Sequence, residues 1–327
     1  MAQILLKNCT IDPPVLLSPL AGITDLPFRN LVQSFGAGLV VSEMVASQEM
    51  VQARPSTRAR AELGFGADST SIQIAGRDAY WMAECAKLCA DQGARIIDIN
   101  MGCPAKKVTN GLSGSALLKT PDFALELIEA VVEAVDIPVT LKTRLGWDDN
   151  LLNAPEVAKR AEAAGIEMIT IHGRTRCQFY KGQADWKAIR DVVNAVTIPV
   201  IANGDITDVK TAKTALNQSG AAGVMVGRGA QGRPWLLAEI AAELYGTNPP
   251  QVPVGEARKA MIEQHYEAMI AFYGVELGNR VARKHLGWYL DDFDVSAEFR
   301  MRIQTEKDTK KVRQLIRDLP TEMGAAA

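Results

Sequence analysis

Short apolar runs recur along the chain, and each gives way to small or polar residues. Val15–Ala21, Leu39–Met44, Ser71–Ala75, Ile96–Asn100, Val139–Lys142, Met168–His172, Val200–Asn203 and Gly223–Val226 make eight. They are too short for helices, rich in Ile, Val and Leu, and bounded by Gly or Pro, which predicts parallel strands buried on both faces. Amphipathic segments lie between them at Ala79–Gln92, Pro121–Val135, Pro155–Ala164 and Trp186–Ala195. Pro121 followed by Asp122 suits the first turn of a helix. Gly93, Gly165 and Gly220 stand where a left-handed residue ends one. Eight strand–helix units predict an α/β fold of the (β/α)8 TIM-barrel type.

The alternation stops near Leu244. Gly246–Pro253 holds three prolines and reads as a linker. Beyond it, Glu256–Tyr273, Asn279–Leu290 and Ser296–Leu319 have helical spacing with no strand run among them. The expected division is a barrel over residues 1–244 and a small C-terminal all-α domain over 245–327, ending in a frayed tail at Gly324–Ala327.

The chain has 327 residues, 47% apolar and 23% charged, which excludes a long disordered or fibrous protein. The net charge of −2 offers no bulk attraction to nucleic acid or membranes. The C-terminal region is neutral, with twelve basic and twelve acidic residues after Leu244. Five dispersed cysteines indicate reduced thiols. No signal peptide or run of about 20 apolar residues is present, so a cytoplasmic protein without membrane contact is expected.

Barrel chemistry gathers at the carboxyl ends of the strands. Those ends carry Gln73, Asn100, Lys142, His172, Arg174, Asn203, Asp205 and Arg228. Ordinary strand-end polarity accounts for a Ser or an Asp. It accounts poorly for Lys142, His172 and Arg228 directly abutting buried runs, because an unpaired buried charge is costly. Gly204, Gly227 and Gly229 with Arg228, after strands seven and eight, suit a phosphate. Gly227–Gly232 also matches G-x-G-x-x-G, but no further strand with an acidic residue follows, so a dinucleotide fold is rejected. Cys103, between Gly102 and Pro104 on a loop past strand four, suits an acid, a nucleophile or a ligand. No second Cys or His lies at ligand spacing, so no metal is expected. Cys85 and Cys89 are read as packing or solvent-facing, and His265 as a surface or packing residue.

These residues carry a resemblance. Asp98-Ile99-Asn100-Met101-Gly102-Cys103-Pro104-Ala105-Lys106-Lys107-Val108 resembles the active-site loop of the tRNA-dihydrouridine synthases, closest to the bacterial B-type branch. Pro19–Asp25, Gln73–Gly76, Ile171–Thr175, Ala202–Ile206 and Arg280–His285 are similar to other stretches of that family, in family order along essentially the whole chain.

The resemblance implies a flavoprotein that reduces the C5–C6 double bond of uridines in the tRNA D-loop. FMN would be bound tightly and NADPH would be the reductant. Pro19, Leu20 and Ala21 would line the flavin ring. Gln73 and Lys142 would bond its polar edge, with His172 adjoining. Asn203, Gly204, Asp205, Gly227 and Arg228 would hold the ribityl phosphate. Asn100 would orient the uracil and Cys103 would donate the proton; an ordinary thiol, with pKa about 8.5, keeps its proton at neutral pH. The helical domain would bind tRNA through Arg280, Arg283 and Lys284, with Lys106, Lys107 and Arg174 on the barrel rim. A monomer is expected. Two rivals remain: a small-molecule flavin dehydrogenase on the same barrel, which would not need residues 245–327, and a non-catalytic RNA-binding protein, which would not need Cys103 and Lys142 on one rim.

Overall fold

The computed structural model describes residues 3–52 and 70–321. The expected tail at Gly324–Ala327 lies outside them. Strand β1 (Ile4–Leu6) pairs antiparallel with β2 (Cys9–Ile11). The barrel staves are β3 (Val15–Leu17), β4 (Leu39–Val41), β6 (Thr70–Ala75), β7 (Ile96–Asn100), β8 (Val139–Arg144), β9 (Met168–His172), β10 (Val200–Asn203) and β11 (Gly223–Val226). They pair in parallel in that order, and β11 closes onto β3. A two-residue strand, β5 (Val45–Ala46), adds to the end of β6. The barrel predicted from the pattern is the barrel observed.

Alternation along the staves explains why every run is apolar throughout. Val15, Leu17, Ile97, Ile99, Ile169, Ile171, Val224 and Val226 belong to the large core shared with the surrounding helices. Their neighbours Leu16, Ile96, Met168, Ile201 and Met225 form a separate cluster with Ile4, Leu6 and Ile11 of the hairpin. Since successive strand residues point to opposite faces, the second set fills the barrel interior, and the hairpin plugs its amino-terminal end. Towards the carboxyl ends of the staves the interior turns polar: Gln73, Asp98, Asn100, Thr140, Lys142, Thr170 and Asn203 are all buried. Register holds this layer level, with Asn100 opposite Lys142 and His172 opposite Asn203.

Two predicted strands end early. Val15–Ala21 is extended only to Leu17, and Leu39–Met44 only to Val41. In both cases the chain leaves the ladder where it becomes site wall, so burial outlasts the strand. The helices Ala79–Asp91, Pro121–Ala134, Ala154–Ala163 and Trp186–Ala195 match expectation within a residue. Gly220 caps Val209–Ser219 at φ 71°, a backbone that glycine adopts without a Cβ penalty. The helix Leu26–Ser34, capped by Asp25 and opened by Pro27, carries no expectation from the pattern.

A helical region follows, with Gly255–Tyr273, Val275–Tyr289, Ala297–Thr305 and Thr309–Arg317. The single helix expected over Ser296–Leu319 is two, because Asp308 caps a fresh start by accepting from the amides of Lys310 and Lys311. These helices have their own apolar cluster, which reaches the barrel through Trp235, Leu31 and Phe35. His265 is a packing residue: it is buried, accepts or donates at Nδ1 to the Tyr289 hydroxyl at 2.8 Å, and packs with His285 against Phe28. Cys85 and Cys89 are likewise buried in the core. Arg258 is fully buried at the junction, ion-paired with Asp292, with its guanidinium 3.9 Å from the Trp235 ring centre. Trp235→Ala therefore removes a large core side chain and the face that covers a buried cation. It should lower the unfolding free energy by about 3–5 kcal/mol, read by urea denaturation.

Candidate active site

A cavity of about 590 Å3 opens at the carboxyl end of the barrel, within the roughly 300–1,000 Å3 usual for small-molecule sites. Every stave contributes to its wall. Ser18–Ala21 follow β3, Met44 follows β4, and Gln73 and Asn100 come from β6 and β7. Gly102–Pro104, Lys142, Arg144, His172 and Tyr180 continue the wall, and Asn203–Thr207 with Gly227–Gly229 close it. Thus Pro19, Leu20, Ala21, Gln73, Asn100, Cys103, Lys142, His172, Asn203, Gly204, Asp205, Gly227 and Arg228, far apart in sequence, share one cavity.

Its electrostatics are set by buried cations. Lys142 is 8% exposed, and its Nζ donates to Asn203 Oδ1 at 3.1 Å. Burial, with repulsion from Arg144, pushes its pKa down to about 8, against the opposing pull of Asp98 and Cys103. His172 is held well below its ordinary pKa by burial and by the charges of Lys142, Arg144, Arg174 and Arg228. The ring is therefore neutral. Its Nε2 faces Arg174 Nη1 at 3.3 Å, and since a guanidinium can only donate, the imidazole proton sits on Nδ1. Asp205 bridges Arg174, at 3.0 and 2.5 Å, and Arg228, at 3.3 Å. Burial pulls its carboxyl upward, but the Arg174 bonds, the Ala184 amide and the Arg228 charge outweigh this and hold it below its ordinary range.

Cys103 is half-buried on the wall, and its loop is gripped from three sides. Asn100 Oδ1 accepts from the amides of Gly102 at 3.2 Å and Cys103 at 3.0 Å. Ser115 donates its hydroxyl and its amide to Cys103 O, at 2.8 and 3.1 Å. Arg144, 2% exposed, donates from Nε to Gly102 O at 2.7 Å and from Nη1 to the carbonyls of Thr175 and Phe179. Arg144 thereby ties the thiol loop to the loop that carries Tyr180. Sequence reasoning missed the roles of Ser115 and Arg144. A cation ending a buried strand was the signal for Arg144; Ser115 gave none.

A family model described as dihydrouridine synthase (Dus) matches residues 16–323. The chain belongs to the dihydrouridine synthase family. A probable tRNA-dihydrouridine synthase of Rhodobacter capsulatus is 61% identical over 322 residues, covering 98% of this chain and 99% of the relative. The tRNA-dihydrouridine synthase B of Vibrio vulnificus is 47% identical over 294 residues, covering 90% and 91%. Among solved structures, histamine dehydrogenase from Rhizobium sp. 4-9 superposes with a TM-score of 0.57 at 13% identity, over 81% of this chain and 50% of that one. A morphinone reductase mutant gives 0.55 at 14% identity, over 77% and 92%. These two likenesses concern the barrel fold alone.

Within this family member, four predicted RNA contacts meet different fates. Arg174 does not reach the surface: it is 1% exposed and donates to Asp205, Lys181 O and Gly182 O. It supports Asp205 and His172 from beneath, because its position at a strand end leaves it inside the wall. Lys284 donates to Gly22 O, so it ties the helical region to the wall loop after β3. Arg283 is half-buried with an unpartnered Nε, and only Arg280 of the three helix cations is exposed. The ion pair of the buried Arg174 with the half-buried Asp205 makes a direct test. Asp205→Ala removes the carboxylate from Arg174 but leaves it the carbonyls of Lys181 and Gly182, and should cost about 1–3 kcal/mol of stability in chemical denaturation, whereas Arg228→Ala, at an exposed guanidinium, should cost under about 1 kcal/mol.

Proposed function

We propose that this chain reduces the C5–C6 double bond of uridine in tRNA to 5,6-dihydrouridine, with FMN held in the cavity and NADPH as reductant. The observation that carries the reading is that one cavity places a half-buried thiol, Cys103, on the same wall system as a buried ammonium, Lys142. The residues suit the flavin. Lys142 has three N–H donors and, among the described residues, one hydrogen-bond acceptor, Asn203 Oδ1, so its remaining donors are available to an electron-rich ring edge. Pro19, Leu20 and Ala21 offer an apolar face, and Gln73 an amide. Gly227 has no side chain where a Cβ would stand 3.7 Å from Ser18, and the exposed Arg228 guanidinium lies beside it, as a phosphate corner needs. Asp205, a carboxylate, would serve that corner by orienting Arg228 rather than by touching the phosphate.

When bound, FMN supplies hydride to one carbon of the uracil double bond. The other carbon needs a proton, and Cys103 would donate it from Sγ. Asn100 would orient the base through the amide hydrogen it has left. A target base must leave its stack to enter the cavity, at a cost of a few kcal/mol that is smallest in a loop. We assign residues 1–244 to catalysis and 245–327 to tRNA binding. The exposed Arg280, Lys307, Lys310 and Lys311 favour the latter, as do Lys106 and Lys107 on the cavity rim. A monomeric cytoplasmic enzyme fits this reading. Among the described residues no helix is long and apolar enough to cross a membrane.

The test is incubation of the purified protein with unmodified tRNA and NADPH. Dihydrouridine should appear in nuclease digests analysed by mass spectrometry, and denaturation should release FMN. Cys103→Ala should keep FMN binding and NADPH oxidation while losing at least about 10²-fold in dihydrouridine formation. Lys142 gives a pH test. A partner that favours the ammonium raises its pKa above about 8 in the complex. FMN binding to the apoprotein should then take up a proton near pH 9, and affinity should fall as pH rises past 8. Calorimetry in buffers of different ionisation enthalpy reads the uptake, which Lys142→Met should abolish.

A further inference from the structure

Beneath the thiol loop a buried chain of amides runs on past the cavity to a carboxylate, Asp98, that the proposed chemistry does not use. Asn100 Nδ2 donates to Gln73 Oε1 at 2.7 Å, and Gln73 Nε2 donates to Asp98 Oδ2 at 2.7 Å. The other carboxylate oxygen of Asp98 accepts from Thr140 Oγ1 at 2.7 Å. Asp98 is 3% exposed and Gln73 1%. The three strands set these residues side by side, with Gln73 opposite Asp98 and Asp98 opposite Thr140.

We propose that Asp98 is a positioning residue that fixes the direction of this chain and, through Gln73 and Asn100, holds the Cys103 loop in place and leaves Asn100 as a donor to the base. This rests on the function proposed above.

The direction is determined from both ends. The amides of Gly102 and Cys103 can only donate, so the Asn100 atom facing them must be oxygen. Its nitrogen then faces Gln73, which must answer with oxygen. The Gln73 nitrogen is left pointing down the barrel, where it needs an acceptor, and Asp98 is that acceptor. Carboxamides are symmetric in shape, so sterics alone would let both turn over. With no acceptor at position 98, a turned Gln73 invites Asn100 to turn, and its N–H2 then meets two N–H groups. An unmade bond of this kind in the interior is costly enough to shift the loop's population. Asn100 spends both acceptor lone pairs on the loop and one N–H on Gln73. The single N–H remaining suits a carbonyl oxygen of the base.

The charged and titratable groups around Asp98 include Lys142 and, beyond it, Arg144 and Cys103. A purely electrostatic role toward Lys142 would make the charge of Asp98 essential. The relay needs only an acceptor. Asp98→Asn keeps an oxygen for Gln73 and can give its N–H to the Thr140 hydroxyl. Asp98→Leu, or Asp98→Ala should leucine prevent folding, offers no acceptor.

The experiment compares these variants with wild type in two readouts. The first is the pH profile of Cys103 alkylation by iodoacetamide in the apoprotein, resolved by peptide mass spectrometry. The second is single-turnover dihydrouridine formation beside the rate of flavin reduction by NADPH. Loss of the acceptor should change Cys103 alkylation at least fivefold and slow dihydrouridine formation at least tenfold, with flavin reduction, which Gln73 also adjoins, slowed at least fivefold less than dihydrouridine formation. Asp98→Asn should stay within threefold of wild type in all. The proposal is overturned if the acceptor-free variant alkylates like wild type, if it loses both half-reactions equally, or if Asp98→Asn is as impaired as it. Failure of the wild type to form dihydrouridine would instead remove the proposed function, while the alkylation profiles still decide the relay.

Discussion

A polar layer inside an apolar barrel can exist only if its members satisfy one another, and this constraint governs the upper half of the molecule. The interior below it is closed by Leu16, Ile96, Met168, Ile201 and Met225 against the amino-terminal hairpin. Gln73, Asp98, Asn100, Thr140, Lys142 and Asn203 must therefore find partners among themselves or in whatever fills the cavity. They do so on one side through amide and carboxylate bonds, and on the other through the Lys142–Asn203 contact. What is left over, chiefly the remaining donors of Lys142, is a built-in demand for a ligand with an electron-rich edge.

A second constraint is mechanical. Cys103, the proposed proton donor, stands on the loop after β7 rather than on a stave. Loops move, and this one is made rigid from outside. Ser115 holds the Cys103 carbonyl, Arg144 holds the Gly102 carbonyl, and Asn100 holds both amides. A buried arginine with three carbonyl acceptors is an expensive fastener. Its reach links the loops after β7 and β9, which no apolar side chain could do directionally.

The barrel was legible because its staves are apolar on both faces and short, and because glycines and prolines punctuate them. Cavity membership was legible wherever a polar residue closed an apolar run: Lys142, His172 and Asn203 declare themselves in this way. The resemblance added roles that periodicity could not supply, such as those of Gln73 and Cys103. What failed to show in the sequence was direction. Arg174 and Lys284 read as surface cations, yet one lies inside the wall and the other is spent on the Gly22 carbonyl. Linear spacing does not say whether a long side chain bends outward to water or inward to a carbonyl. The same blindness hid Arg144 and Ser115, whose partners are carbonyls present at every residue.

The account stands on a base held between Cys103 and the cofactor. The most direct measurement is an experimental structure of the protein with FMN and a uridine-containing tRNA fragment. It should place Cys103 Sγ within about 3–3.5 Å of one carbon of the uracil double bond, on the face opposite the flavin. A sulfur turned into the packed wall, or a base lying outside the cavity, would contradict it.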